Sequence, residues 1–316
     1  MADLTIVPGK APTPLARLVD DYLAHCRARG LSVKTWRDAY RYALVEVFLP
    51  WCAAQGISEP SQLTSRVLER FTTKLLEEGG RRGRLSKASI NSYGRSVKGF
   101  LSWAESEGEL KEGVKVQVPK LKRKVIDVLT RDEIQAMENA GKTERDKLLV
   151  RVLADTGIRL GELLGLRAAD IVESARGQSG LKVRGKGEAE RLVPLSPQLT
   201  RRLRRYLTGR HAAGRDPIFV AVRKGPAGDY PPLTQSGAEQ AIRLLAIAAG
   251  IERRVYPHLF RHSYATHALR RGMNVLNLQR ILGHSSLTMI QAVYAHLDSS
   301  DDYAAAMAVL MGDQER

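Results

Sequence analysis

Thr156-Gly157-Ile158-Arg159-Leu160-Gly161-Glu162-Leu163 is the stretch around which the rest of the chain falls into place. Arg159 and Glu162 stand three residues apart and share a face if the segment is helical. A carboxylate so placed can hold a guanidinium in position for a ligand. An ordinary surface ion pair, worth little, accounts for the same spacing. Upstream, Thr130-Arg131-Asp132-Glu133 has the form of a capping box, in which Thr130 and Glu133 each satisfy a backbone donor of the other's turn. Helices are expected from there to about Leu166. Downstream, Asp170–Val172, Leu181–Arg184 and Arg191–Leu195 read as short strands joined by glycine-rich turns. Helical spacing returns over Leu199–Leu207 and dominates from Gln235 onward. The predicted fold class is mainly α with a small β-sheet, the sheet belonging to the second half of the chain.

Residues 13–108 read as all-helical. Thr13-Pro14 is an N-cap followed by proline at the first helical position, and Leu15, Leu18, Val19, Tyr22, Leu23 and Cys26 recur at helical spacing until Gly30. Ser32 caps a longer run through Trp36, Tyr40, Leu44 and Phe48, which Pro50 is expected to kink or end. Thr64 precedes a third helix and Ser86 a fourth, which runs on past Phe100 to Ala104. Arg81, Arg82, Arg84 and Lys87 form a basic loop leading into the fourth helix; DNA contact and a solvated face are both open readings. Residues 109–125 show little periodicity and carry Lys120, Lys122, Arg123 and Lys124 among their cations. An extended basic strap of this kind can track phosphates without reading bases. The expected organisation is a helical domain over 1–108, a basic linker over 109–125 and a second domain over 126–316.

The 316 residues carry a formal net charge of +16 and a pI of about 10.0. Residues 1–125 hold 22 Lys and Arg against 13 Asp and Glu, and the remainder 28 against 21, so the excess is spread over both halves. A surplus of this size predicts attraction to polyanions, nucleic acid first. Cys26 and Cys52 belong to no CxxC pair and no His/Cys cluster, so a disulfide scaffold and a zinc site are not expected, and both read as buried thiols. No basic-then-apolar leader follows Met1, and no window approaches 18 apolar residues, so no membrane partner is expected and a cytoplasmic protein is.

Three further segments carry chemistry. Val183-Arg184-Gly185-Lys186-Gly187 followed by Arg191-Leu192-Val193-Pro194-Leu195 places Lys186 at the tip of a glycine turn between strands. Such a tip can deliver an ammonium to a bound phosphate, though lysines at hairpin tips are common. His258-Leu259-Phe260-Arg261-His262 opens a helix after Pro257, with His258 and Arg261 on one face. Arg261 can fork onto a phosphate; His262 points elsewhere and reads as structural. Leu282-Gly283-His284-Ser285-Ser286 is followed by Tyr294, ten residues after His284. Five of the seven histidines lie between His258 and His296. Two arginines, a lysine, two histidines and a tyrosine, without an acidic metal-binding cluster, suit phosphoryl transfer. Arginine forks stabilise the extra charge of a pentavalent phosphorus, a tyrosine serves as nucleophile, and a lysine or histidine protonates the leaving oxygen.

The strings TGIRLGELLGL (156–166), GKGEAERLVPL (185–195), HLFRHSYATH (258–267) and LGHSSLTMIQAVYAH (282–296) together resemble the signature boxes of the tyrosine recombinase, or phage integrase, family, in the family's order. The resemblance is strong over about 125–300; the helical first half resembles the family's core-type DNA-binding domain only by length, helicity and position. It implies that Tyr294 attacks the scissile phosphate and holds a 3′-phosphotyrosyl link. Arg159 and Arg261 would clamp the phosphate, Lys186 would be the general acid, His258 would assist proton transfer, His284 would hydrogen-bond the phosphate and Glu162 would orient the site. It further implies a two-domain, C-shaped clamp on double-stranded DNA, with four protomers joining two specific recombination sites through a Holliday junction and room for a partner recombinase or accessory protein. No cofactor and no metal is implied. The absence of a segment before residue 13 able to form an arm-binding domain resembles the simpler Xer-like members. Tyr303, Met307 and Leu310, in the segment Asp301–Met311, give a short apolar helix that must pack against something; packing on its own domain is an open reading, and the resemblance favours docking on a neighbouring protomer. Two other functions fit the same residues: relaxation of DNA by a type IB topoisomerase, and a catalytically silent DNA-binding protein of the same fold.

Overall fold

Serine and threonine side chains cap several of the helices, among them those that begin after Thr13, Thr64, Ser86 and Thr130. The computed structural model describes residues 11–79, 83–111, 113–119, 127–173, 176–185, 189–226 and 228–283. Lys186, His284 and Tyr294 lie outside these residues, as do Arg81, Arg82, Lys120, Lys122, Arg123, Lys124 and the segment Asp301–Met311. The chain divides into two compact units, Met1–Arg123 and Lys124–Arg316.

In the first unit, Thr13 Oγ1 accepts the Ala16 N–H at 3.2 Å and opens α1 (Pro14–Ala28). The run that follows Ser32 is helical, but Lys34–Phe48 winds as a π-helix, with i→i+5 bonding such as Leu49 N–H to Leu44 O. Its aromatic and aliphatic residues repeat every four positions, a spacing that serves a wider helix as well as an α-helix. Pro50 does not end the run. It sits in the first turn of α2 (Leu49–Ala54), where its missing N–H leaves no bond unmade. Thr64 caps α3 (Ser65–Glu77) and Ser86 caps α4 (Lys87–Ser106), accepting from Val67 N at 3.3 Å and Ser89 N at 3.1 Å. These helices enclose a core in which Phe48 meets Phe71 edge-on at 5.2 Å and Tyr22 meets Phe100 at 5.8 Å. Cys26 and Cys52 are free and buried there, and burial pushes the Cys52 thiol up to about 12. Residues 110–111 and 113–119 lie along this unit. Leu110 and Val116 join its core, Thr72 Oγ1 donates to Gln117 O at 2.8 Å, and Asn91 Nδ2 donates to Pro119 O at 3.1 Å.

In the second unit the Thr130–Glu133 capping box is complete. Thr130 N donates to Glu133 Oε2 at 2.8 Å, and Glu133 N donates to Thr130 Oγ1 at 3.1 Å. It opens α5 (Arg131–Ala140), followed by α6 (Glu144–Thr156) and α7 (Leu160–Gly165). A three-stranded antiparallel sheet follows in the order β1 (Ile171–Glu173), β2 (Ser179–Arg184), β3 (Glu190–Pro194). Leu181 pairs with Val193 and Val183 with Arg191 across β2 and β3; Leu181, Val183 and Val193 are fully buried. Then come α8 (Pro197–Gly209), α9 (Gln235–Ala248), α10 (Pro257–Arg270) and α11 (Val275–Leu282). Leu149, Leu153, Leu163, Ile242 and Phe260 knit helices and sheet into one core. Among the described residues no helix is long and apolar enough to cross a membrane.

Candidate active site

Helix α6 stops at Gly157, which turns the chain in the left-handed region at φ 61°. A Cβ there would lie 2.6 Å from the Tyr264 ring and 2.9 Å from Leu282 Cδ2, so the backbone passes against α10 and α11 with no room for a side chain. The turn delivers Arg159 to the N-cap of α7 rather than to its interior. Glu162, in the first turn, accepts from Arg159 N at 2.8 Å with Oε2 and from Arg159 Nη1 at 2.9 Å with Oε1. The two residues pair as their spacing suggests, but the carboxylate is buried and also caps the helix, so this is no free surface ion pair.

Arg261 is only 1% exposed. Its Nη1 donates to Gly157 O at 2.8 Å and its Nη2 to Leu282 O at 2.6 Å, while Nε is buried without a hydrogen-bond partner. Burial, then the charge of Arg159, pushes its guanidinium down to about 10; the Glu162 carboxylate works in the opposite direction and Arg191 in the same one. It remains charged at neutral pH. Such a residue is a rigid donor, fixed by two backbone carbonyls, with hydrogens still to give. His258 lies in the first turn of α10, on the exposed side of that helix. Desolvation, then the charges of Arg261 and Arg159, hold its imidazole below the usual 6.5.

Arg159, Glu162, His258 and Arg261 are therefore brought together from α7 and α10. Arg191 joins them from β3, a residue the sequence reading treated only as part of a strand. Its Nη1 and Nη2 donate to Glu162 Oε1 and Oε2 at 3.0 and 2.8 Å, and its Nε donates to Ile281 O at 2.7 Å. Burial by itself would raise the Glu162 carboxyl, but hydrogen bonds from Arg191 and from Arg159 N outweigh it and hold the group below its usual value. The signal was present in strand alternation. Arg191 shares a face with the buried Val193, and a charge on a buried face needs a partner.

The β2–β3 hairpin that carries Lys186 is closed at its base by Gly185 N donating to Ala189 O at 2.8 Å, with Glu190 bridging Lys182 and Arg184. Arg84 and Lys87 are exposed where α4 begins. On the same helix, Arg95 and Lys98 are exposed as well. Among the described residues, no three His, Cys, Asp or Glu side chains are grouped as metal ligands.

Residues 127–301 match the phage integrase family. Tyrosine recombinase XerC of Xanthomonas campestris is 32% identical over 302 residues, covering 93% of this chain and 88% of that protein. Tyrosine recombinase XerA of Saccharolobus solfataricus is 32% identical over 262 residues, covering 79% and 81%. Among solved structures, XerH site-specific recombinase bound to its palindromic difH substrate superposes with a TM-score of 0.69 at 21% identity, over 91% of this chain and 83% of that one. The Tn1549 transposon integrase in complex with transposon right-end DNA gives 0.69 at 20% identity, over 93% and 99%. The chain belongs to the phage integrase family, as a Xer-type tyrosine recombinase.

Proposed function

We propose that this chain cuts and rejoins specific sites in double-stranded DNA through a covalent bond between Tyr294 and the scissile phosphate. The observation that carries the reading is that the Gly157 turn, α7 and α10 gather Arg159, Glu162, Arg261 and His258 in the second unit, with Arg261 fixed on Gly157 O and Leu282 O. Fixed cations suit a phosphate whose charge grows in the transition state. The Tyr294 oxygen attacks phosphorus, the bond from phosphorus to the 5′ oxygen breaks, and a 3′-phosphotyrosyl link forms. The tyrosine proton passes toward His258, while Lys186 supplies a proton to the departing 5′ oxygen. His284 hydrogen-bonds the phosphate, and Glu162 orients Arg159. Reversal with a new 5′ hydroxyl rejoins the strand.

The DNA-bound state of the XerH and Tn1549 structures supports DNA as the partner. In this reading both units bind the duplex. Arg81, Arg82, Arg84 and Lys87 contact it from the first unit, and Lys120, Lys122, Arg123 and Lys124 contact its phosphates. Four copies, with or without a second recombinase or an accessory protein, exchange strands through a Holliday junction, with Asp301–Met311 docking between protomers.

The test is adduct formation on a nicked duplex from which the released strand diffuses away. The wild-type chain is expected to become covalently attached, and Tyr294→Phe to bind equally well and form no adduct. An adduct formed by Tyr294→Phe at the wild-type level would remove Tyr294 as the nucleophile.

A further inference from the structure

Arg191 has no step in the chemistry above, yet its guanidinium is bonded on three sides. It forks onto both oxygens of Glu162 at 3.0 and 2.8 Å and donates to Ile281 O at 2.7 Å. Its flat face lies against Gly283, where an added Cβ would sit 3.0–3.1 Å from Nη1, Cδ and Cζ. The side chain is 13% exposed and the Glu162 side chain 7%.

The charges explain why a second arginine belongs here. Glu162 also accepts from the Arg159 side chain at 2.9 Å. With Arg159 as its sole cation, this buried carboxylate would compete with a phosphate for the same guanidinium. Arg191 gives the carboxylate a cation of its own, and a fork over a carboxylate is the geometry in which arginine binds most strongly. The positive charge of Arg159 and Arg261 is then left uncompensated for an incoming anion. The same guanidinium also fixes the end of α11. Arg191 holds Ile281 O while Arg261 holds Leu282 O, so the last carbonyls before Gly283 and His284 are tied to both flanks of the site.

We propose that Arg191 is a positioning residue. It occupies Glu162 so that Arg159 keeps its charge for the scissile phosphate, and it sets the end of the helix from which His284 follows. This rests on the reading of Arg159 as a phosphate clamp.

The test compares cleavage by the full chain on a nicked duplex that the wild type attacks, made with an ordinary scissile phosphate and with a methylphosphonate. The methyl group removes one non-bridging oxygen and its charge. Arg191→Met is expected to bind the duplex within about threefold of wild type but to cleave the ordinary phosphate about 30-fold more slowly, less than the 10²–10³ typical of removing a direct donor. On the methylphosphonate that gap should close to about threefold, because the charge that Arg159 must meet is gone. Arg191→Lys keeps the cation and should cleave within about tenfold of wild type on the ordinary phosphate. It carries the comparison if the methionine variant does not fold. Equal slowing of Arg191→Met on both substrates, wild-type cleavage by it, or a lysine variant as slow as the methionine variant would each overturn the proposal. Arg159→Ala runs alongside. If its own defect fails to shrink on the methylphosphonate, the clamp reading of Arg159 falls, whatever Arg191 does.

Discussion

The Leu129 N–H donates to the Ser263 hydroxyl at 2.7 Å, joining residues 134 apart in the chain. The hydroxyl in turn donates to Leu259 O at 2.8 Å. On the other side of the same residue, Leu129 O lies 2.8 Å from His267 Nε2, which must carry the proton. The segment leading into α5 is thus pinned on both sides to α10, the helix that carries His258 and Arg261. Leu129 and Ser263 are fully buried, so neither partner has water to fall back on. Ser263→Ala leaves the Leu129 N–H buried and unpaired, a loss of about 1–3 kcal/mol. Urea unfolding of the full chain should show that loss as a lower midpoint. An unchanged midpoint would mean the bond adds nothing to stability.

Gly157→Ala should be more harmful than a methyl group suggests. The new Cβ would meet the Tyr264 ring at 2.6 Å in a backbone conformation that alanine disfavours. Overpacking of this kind costs about 1–3 kcal/mol, and the left-handed φ adds to it. The substitution also moves the Gly157 carbonyl that holds Arg261, so cleavage should fall together with the thermal midpoint. A variant that melts like wild type and cleaves like it would show that the backbone here is softer than its contacts imply.

Much of this arrangement was legible in the sequence, for identifiable reasons. The caps at Thr13, Thr64, Ser86 and Thr130 were readable because they depend on a hydroxyl one to three residues before an apolar run, which is local information. The Arg159–Glu162 pair and the sharing of a helix face by His258 and Arg261 followed from spacing alone. The near-complete burial of Arg261 did not, since nothing local says that Gly157 O and Leu282 O will close over it. Arg191 was missed although the alternation of β3 places it on the buried face, because its partners Glu162 and Ile281 lie 29 and 90 residues away. The π winding of Lys34–Phe48 was hidden for a different reason: a four-residue repeat leaves the choice of helix open.

Lys186 can be tested through the leaving group it is proposed to serve. Replacing the bridging 5′ oxygen of the substrate by sulfur gives a thiolate, which departs without needing a proton. Lys186→Ala should be slow on the ordinary phosphate, by about 10²–10⁴ if it acts as a general acid, and recover most of that rate on the sulfur substrate. The control is Arg159→Ala, whose defect concerns the non-bridging oxygens and should persist on both substrates. A Lys186→Ala variant equally slow on both would assign the acid to another residue.

His258 gives the site a definite pH dependence, and its direction follows from its surroundings. Desolvation and the charges of Arg261 and Arg159 lower its pKa in the folded chain below the 6.5 it would have when unfolded. As pH falls through 6.5 the unfolded chain therefore takes up a proton before the folded chain does. Stability linked to His258 is fully present above that value and is lost progressively as pH drops toward the folded pKa. His258→Gln removes this term, so its unfolding midpoint should fall less than that of wild type between about pH 7.5 and 5. Cleavage should follow the same group. A protonated imidazole can no longer receive the Tyr294 proton, so the rate at limiting enzyme should stay level through neutral pH and decline only below 6.5, reporting the free enzyme's histidine. In His258→Gln the remaining slow cleavage should lose that acidic decline. A wild-type rate that instead begins to fall well above pH 6.5, with the same profile kept by His258→Gln, would place the titrating group elsewhere and leave His258 without a part in proton transfer.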